Sequence, residues 1–372
     1  MSASLSLAAL LPGMRWPRLR LLANGIAVGG AMAAEVNASN SFQASSFTAL
    51  VSLSADPVQG AAWWESQTAI RLEIQAALGA SLLDPIGEGW TRLLLGDVDT
   101  LQIDPIANTV QLAGRDLTHL FIDARTQRSF VNLTASQIAT QLADEQGLTA
   151  QVTATTTPVG QYYQLEHDTL VLGGLHRITT EWDLLVWLAR HEGFDCYVDG
   201  QTLVFAPPTS EQAVPFVVSF GPGAALNVID VRMERALTLA ADVQVTVKSW
   251  DSRSKAAFVR TVRATSASGS TNVGKNQQSY VFVVPGLTPA EALAYAQQRL
   301  AEITRHERIV TITMPGETTL TPRSRIALAG SGTGFDQLYY PDHILRRIDA
   351  KRGFVQTVTA KNHSTTSQVT VL

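Results

Sequence analysis

Only a few stretches of this sequence place reactive side chains close together. Glu166-His167-Asp168 sets an imidazole between two carboxylates, the residue types of general acid–base catalysis. Three consecutive residues of an extended strand alternate between its two sides, so these cannot converge on one atom; they are expected to cap a turn. His191-Glu192-Gly193-Phe194-Asp195 begins like the HExxH zinc motif but lacks its second histidine, and Gly193 ends the helix that the motif needs. Gly330-Ser331-Gly332-Thr333-Gly334 resembles a phosphate loop without its Lys-Ser/Thr, and strand-like residues follow where a helix should start, so a hairpin loop is expected. Cys196 is the only cysteine, which excludes an intramolecular disulfide, and its strand context marks a packed thiol. There is no G-x-S-x-G elbow. The sequons at Asn37, Asn132 and Asn362 are at chance level. No catalytic, cofactor-binding or metal-binding residue is assigned. Trp63-Trp64 remains as a possible subunit contact, since paired aromatics anchor seams and cores more often than they stack on ligands.

The clearest local structure lies between Gln161 and Pro208. Leu184, Leu185, Trp187 and Leu188 fall on one helical face, with Trp182 close by. Thr180 with Asp183 three residues later is an acidic variant of the capping box, and Gly193 supplies the left-handed end. A hairpin follows: Phe194 and Cys196–Val198, a turn at Asp199-Gly200, then Thr202–Phe205, with Pro207-Pro208 as terminator. Trp182, Leu185, Trp187, Leu188, Gly193, Tyr197, Gly200 and Phe205 are expected to form the structural core of this unit.

In order and spacing this stretch resembles the tail-hub family of contractile-tailed phages, the late control D and Mu-like baseplate hub proteins. The resemblance rests on Tyr162-Tyr163-Gln164-Leu165-Glu166-His167-Asp168, on Leu188-Ala189-Arg190-His191-Glu192-Gly193, and on the hairpin from Val198 to Pro208. Gly114-Arg115-Asp116-Leu117-Thr118 is similar to that family's exit from its first barrel, although a turn with an exposed Arg-Asp pair would read the same. The stretch from Gly330 to Ala360 resembles the closing hairpins of its second barrel.

The surrounding chain reads as strand and turn. Ile70, Leu72 and Ile74 alternate with charged or polar residues, Asn24-Gly25 marks a first hairpin pairing Leu19–Ala23 with Ile26–Val36, and Thr134 and Thr288 open capped helices. The arginines and apolar run of Met14–Ala34 imitate a signal peptide, but that hairpin explains them, and no window reaches bilayer-spanning length. The expected class is mainly β with an α+β insert: two similar β-barrel domains plus a small α/β domain. The expected division is an N-terminal arm at 1–14, a first barrel at 15–129 completed by 207–235, an α/β insert at 130–206, and a second barrel at 236–372 with a helix at 288–306 and a flexible loop at 266–279.

With 372 residues, 16% charged and 45% hydrophobic, the chain is charge-poor, which suits surface hidden in subunit contacts. A net charge of −4 gives no reason to expect a nucleic-acid or membrane binder. The resemblance implies a non-enzymatic hub without cofactors. It would be a homotrimer whose paired barrels adapt a six-fold tail tube to a three-fold central spike, contacting the tube or its initiator and baseplate wedge proteins. Such a protein is assembled in the bacterial cytoplasm and carried in the virion baseplate. The alternative is a cell-wall- or carbohydrate-binding or hydrolysing tail-tip protein, with the α/β unit as its ligand module.

Overall fold

The computed structural model describes residues 16–40, 42–79, 89–125, 130, 132–156, 158–159, 180–208, 214–221, 227–236, 243–251, 256–265, 278–284, 286–304, 308–362 and 368–371. The fold is mainly β with α+β units attached. The expected arm at 1–14 lies outside the described residues, as does the expected loop at 266–279 except for its last two residues, which begin a strand.

The chain begins with β1 (Trp16–Ala23), which turns at Asn24-Gly25 with φ of 51° and 81°, the positive values a type I′ turn requires. Its hairpin partner β2 (Ile26–Ala27) is only two residues long. The expected pairing through Val36 does not form. Gly30 bends the chain at φ 73°, and β3 (Ala31–Ser39) departs to pair with β4 (Ser46–Ser52). A short helix, α1 (Ala61–Glu65), leads to β5 (Arg71–Gly79), β6 (Thr91–Asp104) and β7 (Thr109–Asp116). The strand order β3-β4-β7-β6-β5-β1 wraps one core. Period-two patterning decides which side is inside: Leu72 and Ile74 are buried beside half-buried Arg71, Glu73 and Gln75, and Phe47, Ala49 and Val51 do the same on β4. Each fully buried Leu or Ile contributes roughly 1.5–3 kcal/mol.

The first α/β unit starts earlier than expected, at Leu117 and at Phe121, the latter in α2 (His119–Asp123), both of which belong to its core. β8 (Leu133–Thr134) leads into α3 (Ala135–Glu145), then β9 (Thr149–Val152) and β10 (Pro158–Val159), which pairs with β8. α4 (Glu181–Glu192), β11 (Asp195–Asp199) and β12 (Thr202–Ala206) complete it. Both long helices have capping boxes, Thr134 with Gln137 and Thr180 with Asp183, each cap worth about 1 kcal/mol. β12 is central, antiparallel to β11 and parallel to β9.

The second half departs from expectation in its boundaries. β13 (Phe216–Ser219) and β14 (Asp230–Arg235) do not complete the first lobe. They pair with two strands of the C-terminal half: β13 with Ile326–Ala329 and β14 with Arg308–Pro315. Nor is 236–372 a single barrel. β15 (Val243–Asp251), β16 (Ala256–Thr265) and β17 (Gln278–Val283) form a separate sheet covered by α5 (Pro289–Thr304), with Val243, Val245, Val247 and Val262 packed on Ala292, Ala296 and Leu300. The physical reason is helix amphipathicity: the apolar stripe of α5 needs its own sheet to cover. The second lobe is therefore β13 and β14 with β18 (Arg308–Pro315), β19 (Ile326–Ala329), β20 (Leu338–Asp349) and β21 (Gly353–Asn362). β22 (Gln368–Val371) returns to pair with β16.

The two lobes share one sheet. β20 pairs with β3 from His343↔Ser39 to Asp349↔Ala33, giving the continuous path β14-β18-β21-β20-β3-β4-β7-β6-β5-β1-β2. Arg347 Nε meets Glu35 Oε2 at 2.6 Å across this seam, and Ala76, Ile348 and Phe354 form a small core beside it.

Candidate functional site

With no metal-holding cluster among the described residues, the place where the units meet becomes the candidate site, and the first α/β unit is at its centre. The tip of its β11–β12 hairpin lies on β6, where Arg92 Nη2 is 3.2 Å from Asp199 Oδ1. Helix α4 reaches the loop after β3: Trp182 Nε1 donates to the Phe42 carbonyl at 2.8 Å, and the Arg190 guanidinium sits 5.4 Å from the Phe42 ring centroid. Phe42 has φ 52°, a left-handed conformation rare for an aromatic residue, so neighbouring contacts must hold it there. Gln298 Nε2 of α5 donates to the Arg190 carbonyl at 3.2 Å. From the second lobe, the Arg323 guanidinium lies 3.9 Å from the Tyr197 ring centroid.

A chain of charges ties β5, β6, β7 and α2 together. Arg71 Nε meets Asp97 Oδ1 at 2.8 Å; His119 spans Asp97 at 3.1 Å and Asp123 at 3.2 Å; Arg115 holds Asp123 at 3.0 Å and Asp99 at 2.8 Å. Both ring nitrogens of His119 face carboxylates, so its protonated form satisfies both. The hydrogen bond to Asp97 raises its pKa against the opposing effect of burial. Burial pushes Asp97 upward, but hydrogen bonds from His119 and Arg71 outweigh that and bring it down to about 2. Next in sequence, Asp116 is buried and accepts from the backbone N–H of Ser45 at 2.9 Å and of Thr118 at 3.1 Å; burial raises its pKa. The segment Gly114–Thr118 is thus more than a turn with an exposed pair. A Cβ at Gly114 would lie 2.1 Å from the Asp97 carbonyl oxygen, so glycine is required for β6 and β7 to approach.

Of the residues singled out from sequence, Trp182, Leu185, Leu188 and Phe205 are buried in the first α/β core, and Gly193 and Gly200 have φ of 70° and 58°. Tyr197 is half-buried beneath Arg323. Trp187 is only half-buried: it lies at the margin of the apolar stripe, stacked on His191 with centroids 5.7 Å apart. Trp64 is fully buried in the first lobe and so is unavailable as a subunit contact, while Trp63 is half-buried and meets it edge to face at 4.7 Å. In the glycine loop, Asp336 accepts from the backbone N–H of Ser331 and of Gly332, each at 2.9 Å, so the loop's own carboxylate fills its anion nest. Burial raises the Cys196 pKa. Glu166-His167-Asp168 lies outside the described residues. Among the described residues no group of three or more His, Cys, Asp or Glu is placed to hold a metal ion. No helix among them is long and apolar enough to cross a membrane. Sequence reasoning missed Arg92, Arg190 and Arg323, because each finds its partner on a distant element and no local spacing marks it.

The family model described as the Alg8 N-terminal domain matches residues 99–349. No curated protein matches the sequence. Among solved structures, a tail protein from Neisseria meningitidis MC58 has a TM-score of 0.67 at 14% identity, covering 93% of this chain and 96% of its own. The 43 kDa tail protein of prophage MuSo2 from Shewanella oneidensis has a TM-score of 0.61 at 17% identity, covering 94% and 98%. A chain of the Francisella PdpA–VgrG complex has a TM-score of 0.57 at 9% identity, covering 95% of this chain and 59% of its own. This chain therefore has the fold found in phage tail proteins.

Proposed function

The chain belongs to the family of the Alg8 N-terminal domain, and we propose that it is a structural subunit at the tip of a contractile phage tail or of a particle derived from one. The single observation that carries this reading is the likeness in fold to phage tail proteins along almost the whole length of both chains. In this reading the protein is a baseplate hub. Three copies close a ring, and the two strand-rich lobes of each copy present six near-equivalent surfaces to the tail tube while the ring keeps three-fold symmetry for a central spike. The presence of the same fold in a PdpA–VgrG complex supports a spike-bearing partner. Tube-initiator and wedge proteins would be its other neighbours, with no specific nucleic acid and no membrane insertion.

Surface chemistry supports assembly. On the sheet face opposite α5, the register sets Trp250, Val259, Val281 and Val283 on one side, from 49% to 74% exposed. Apolar side chains of this kind are covered in subunit contacts. Heterologous contacts between the first lobe of one copy and the second lobe of the next would close the ring, each burying more than ~1,000 Å². Its mechanism is buried complementary surface, with no bond made or broken.

Native mass spectrometry of the purified chain tests the copy number, with three copies expected. A reconstruction of the particle is decisive: the chain should lie on the tail axis in three copies. Six or twelve copies, or a position off the axis, would sink the assignment.

A further inference from the structure

Between β6, the β11–β12 hairpin and the loop joining β18 to β19 lies a cavity of about 510 Å³, lined in part by Arg323, Arg346 and Tyr197. Its charges are uneven. Arg346 is 4% exposed, and its Nη2 donates to the Leu320 carbonyl, but its Nε has no partner. Gln356 is its directly opposed neighbour on β21, so the two side chains leave the sheet on the same face. The Gln356 Oε1 accepts from Glu317 N–H at 3.2 Å; this fixes the amide so that Nε2 is a free donor, and it too has no partner. Arg323 contributes two more buried donors without acceptors, Nε and Nη1.

Three of these unpartnered donor atoms belong to the cavity-lining Arg346 and Arg323, and the fourth to the sheet neighbour of Arg346, with no unpartnered acceptor among the three side chains. Burying a charge with no counter-ion is strongly unfavourable, and an unsatisfied donor adds its own desolvation penalty. Arg323 has the carboxylate of Asp195 and the face of Tyr197 near it. For Arg346 nothing opposes the desolvation that lowers its pKa to about 10. The missing component is one that only accepts, carries negative charge and offers several oxygens. A guanidinium's fork of N–H groups fits a carboxylate or phosphate better than a spherical ion.

We propose that this cavity is a binding site for a small oxyanion, of the phosphate, sulfate or carboxylate class, held by Arg346 and Arg323. The bound anion would join the second lobe to the hairpin of the first α/β unit, because its ligands and the ring under Arg323 come from both.

The test is thermal unfolding of the full chain in sodium phosphate, sodium sulfate, sodium acetate and sodium chloride at matched ionic strength. A saturable rise in melting temperature with one or more of the oxyanions over chloride is expected, and their order tells a tetrahedral anion from a carboxylate. Arg346→Met should abolish the rise and leave the melting temperature in chloride unchanged or higher, since it removes the uncompensated charge. Arg323→Gln, at a half-buried position, should weaken the rise and serves if the first variant does not fold. Superimposable melting curves in all four salts would overturn the proposal, as would a rise that survives both substitutions.

Discussion

The guanidinium of Arg92 lies against the α-carbon of Gly200: a Cβ added there would be 2.5 Å from Arg92 Nη2. The hairpin turn and the β6 side chain therefore share one space, and glycine serves two ends at Gly200. It permits φ 58° for the turn and leaves room for the arginine that bonds Asp199.

Gly200→Ala is expected to destabilise the protein by about 1–2 kcal/mol from backbone conformation alone, and by more because Arg92 must move. Arg92→Ala should relieve that second part. Urea denaturation of the two single variants and the double variant would then give non-additive changes. Strict additivity would show that the arginine and the turn are independent.

Within α4, burial ranks the residues differently from aromatic size. Leu185→Ala should destabilise by about 2–5 kcal/mol. Trp187→Ala should fall below the ~3–5 kcal/mol of a fully buried ring, since Trp187 is only half-buried and stacks on His191. Melting temperatures of the two variants decide the order.

The charge chain around His119 makes stability depend on pH in both directions. The folded state raises the His119 pKa, so its contribution is complete below the unfolded value of about 6.5 and is lost as pH rises through the folded value. Asp97 behaves oppositely: lowered from 3.8 to about 2, its contribution is present above 3.8 and is lost as pH falls towards 2. His119→Gln should flatten the loss of stability as pH rises above about 6.5, as read from urea midpoints across that range. A variant with the wild-type slope there would remove His119 from the account.

The purified chain is expected not to clear peptidoglycan. The sequence has no nucleophile elbow or complete zinc motif. Clearing that disappears on substitution of a single Asp or Glu would restore the reading of a cell-wall enzyme.

Local signals in the sequence matched local structure. Thr180 with Asp183 and Asn24-Gly25 each encode their geometry within a few residues, and each forms as the pattern requires, whereas the turn expected at Asp199-Gly200 sits one residue later, at Gly200-Gln201, because Asp199 pairs with Thr202 and only Gly200 has a positive φ. Pairings decided at long range were not legible. Nothing in Phe216–Ser219 tells it to lie beside Ile326–Ala329 and not beside the first lobe, because a strand's alternation states which face is apolar and not which edge is taken. The second α/β unit was hidden for the same reason: its helix was visible from Thr288 onward, but the membership of β15–β17 in a separate sheet depends on what that helix covers. Arg346 and Gln356, ten residues apart along a hairpin, give no sequence pattern at all until the register sets them opposite each other.

The pairing of β3 with β20 also sets a timetable for the ribosome. Roughly 300 residues separate the two strands, and at about 5–20 residues per second their synthesis takes on the order of 15–60 seconds. Throughout that interval the outer edge of β3 stands finished on one side and open on the other, presenting its backbone donors and acceptors to any strand that passes. Copies growing on one message have the same open edge at the same time. The strand that joins the lobes in the finished molecule is, during its making, the place where nascent chains are most able to find each other too soon.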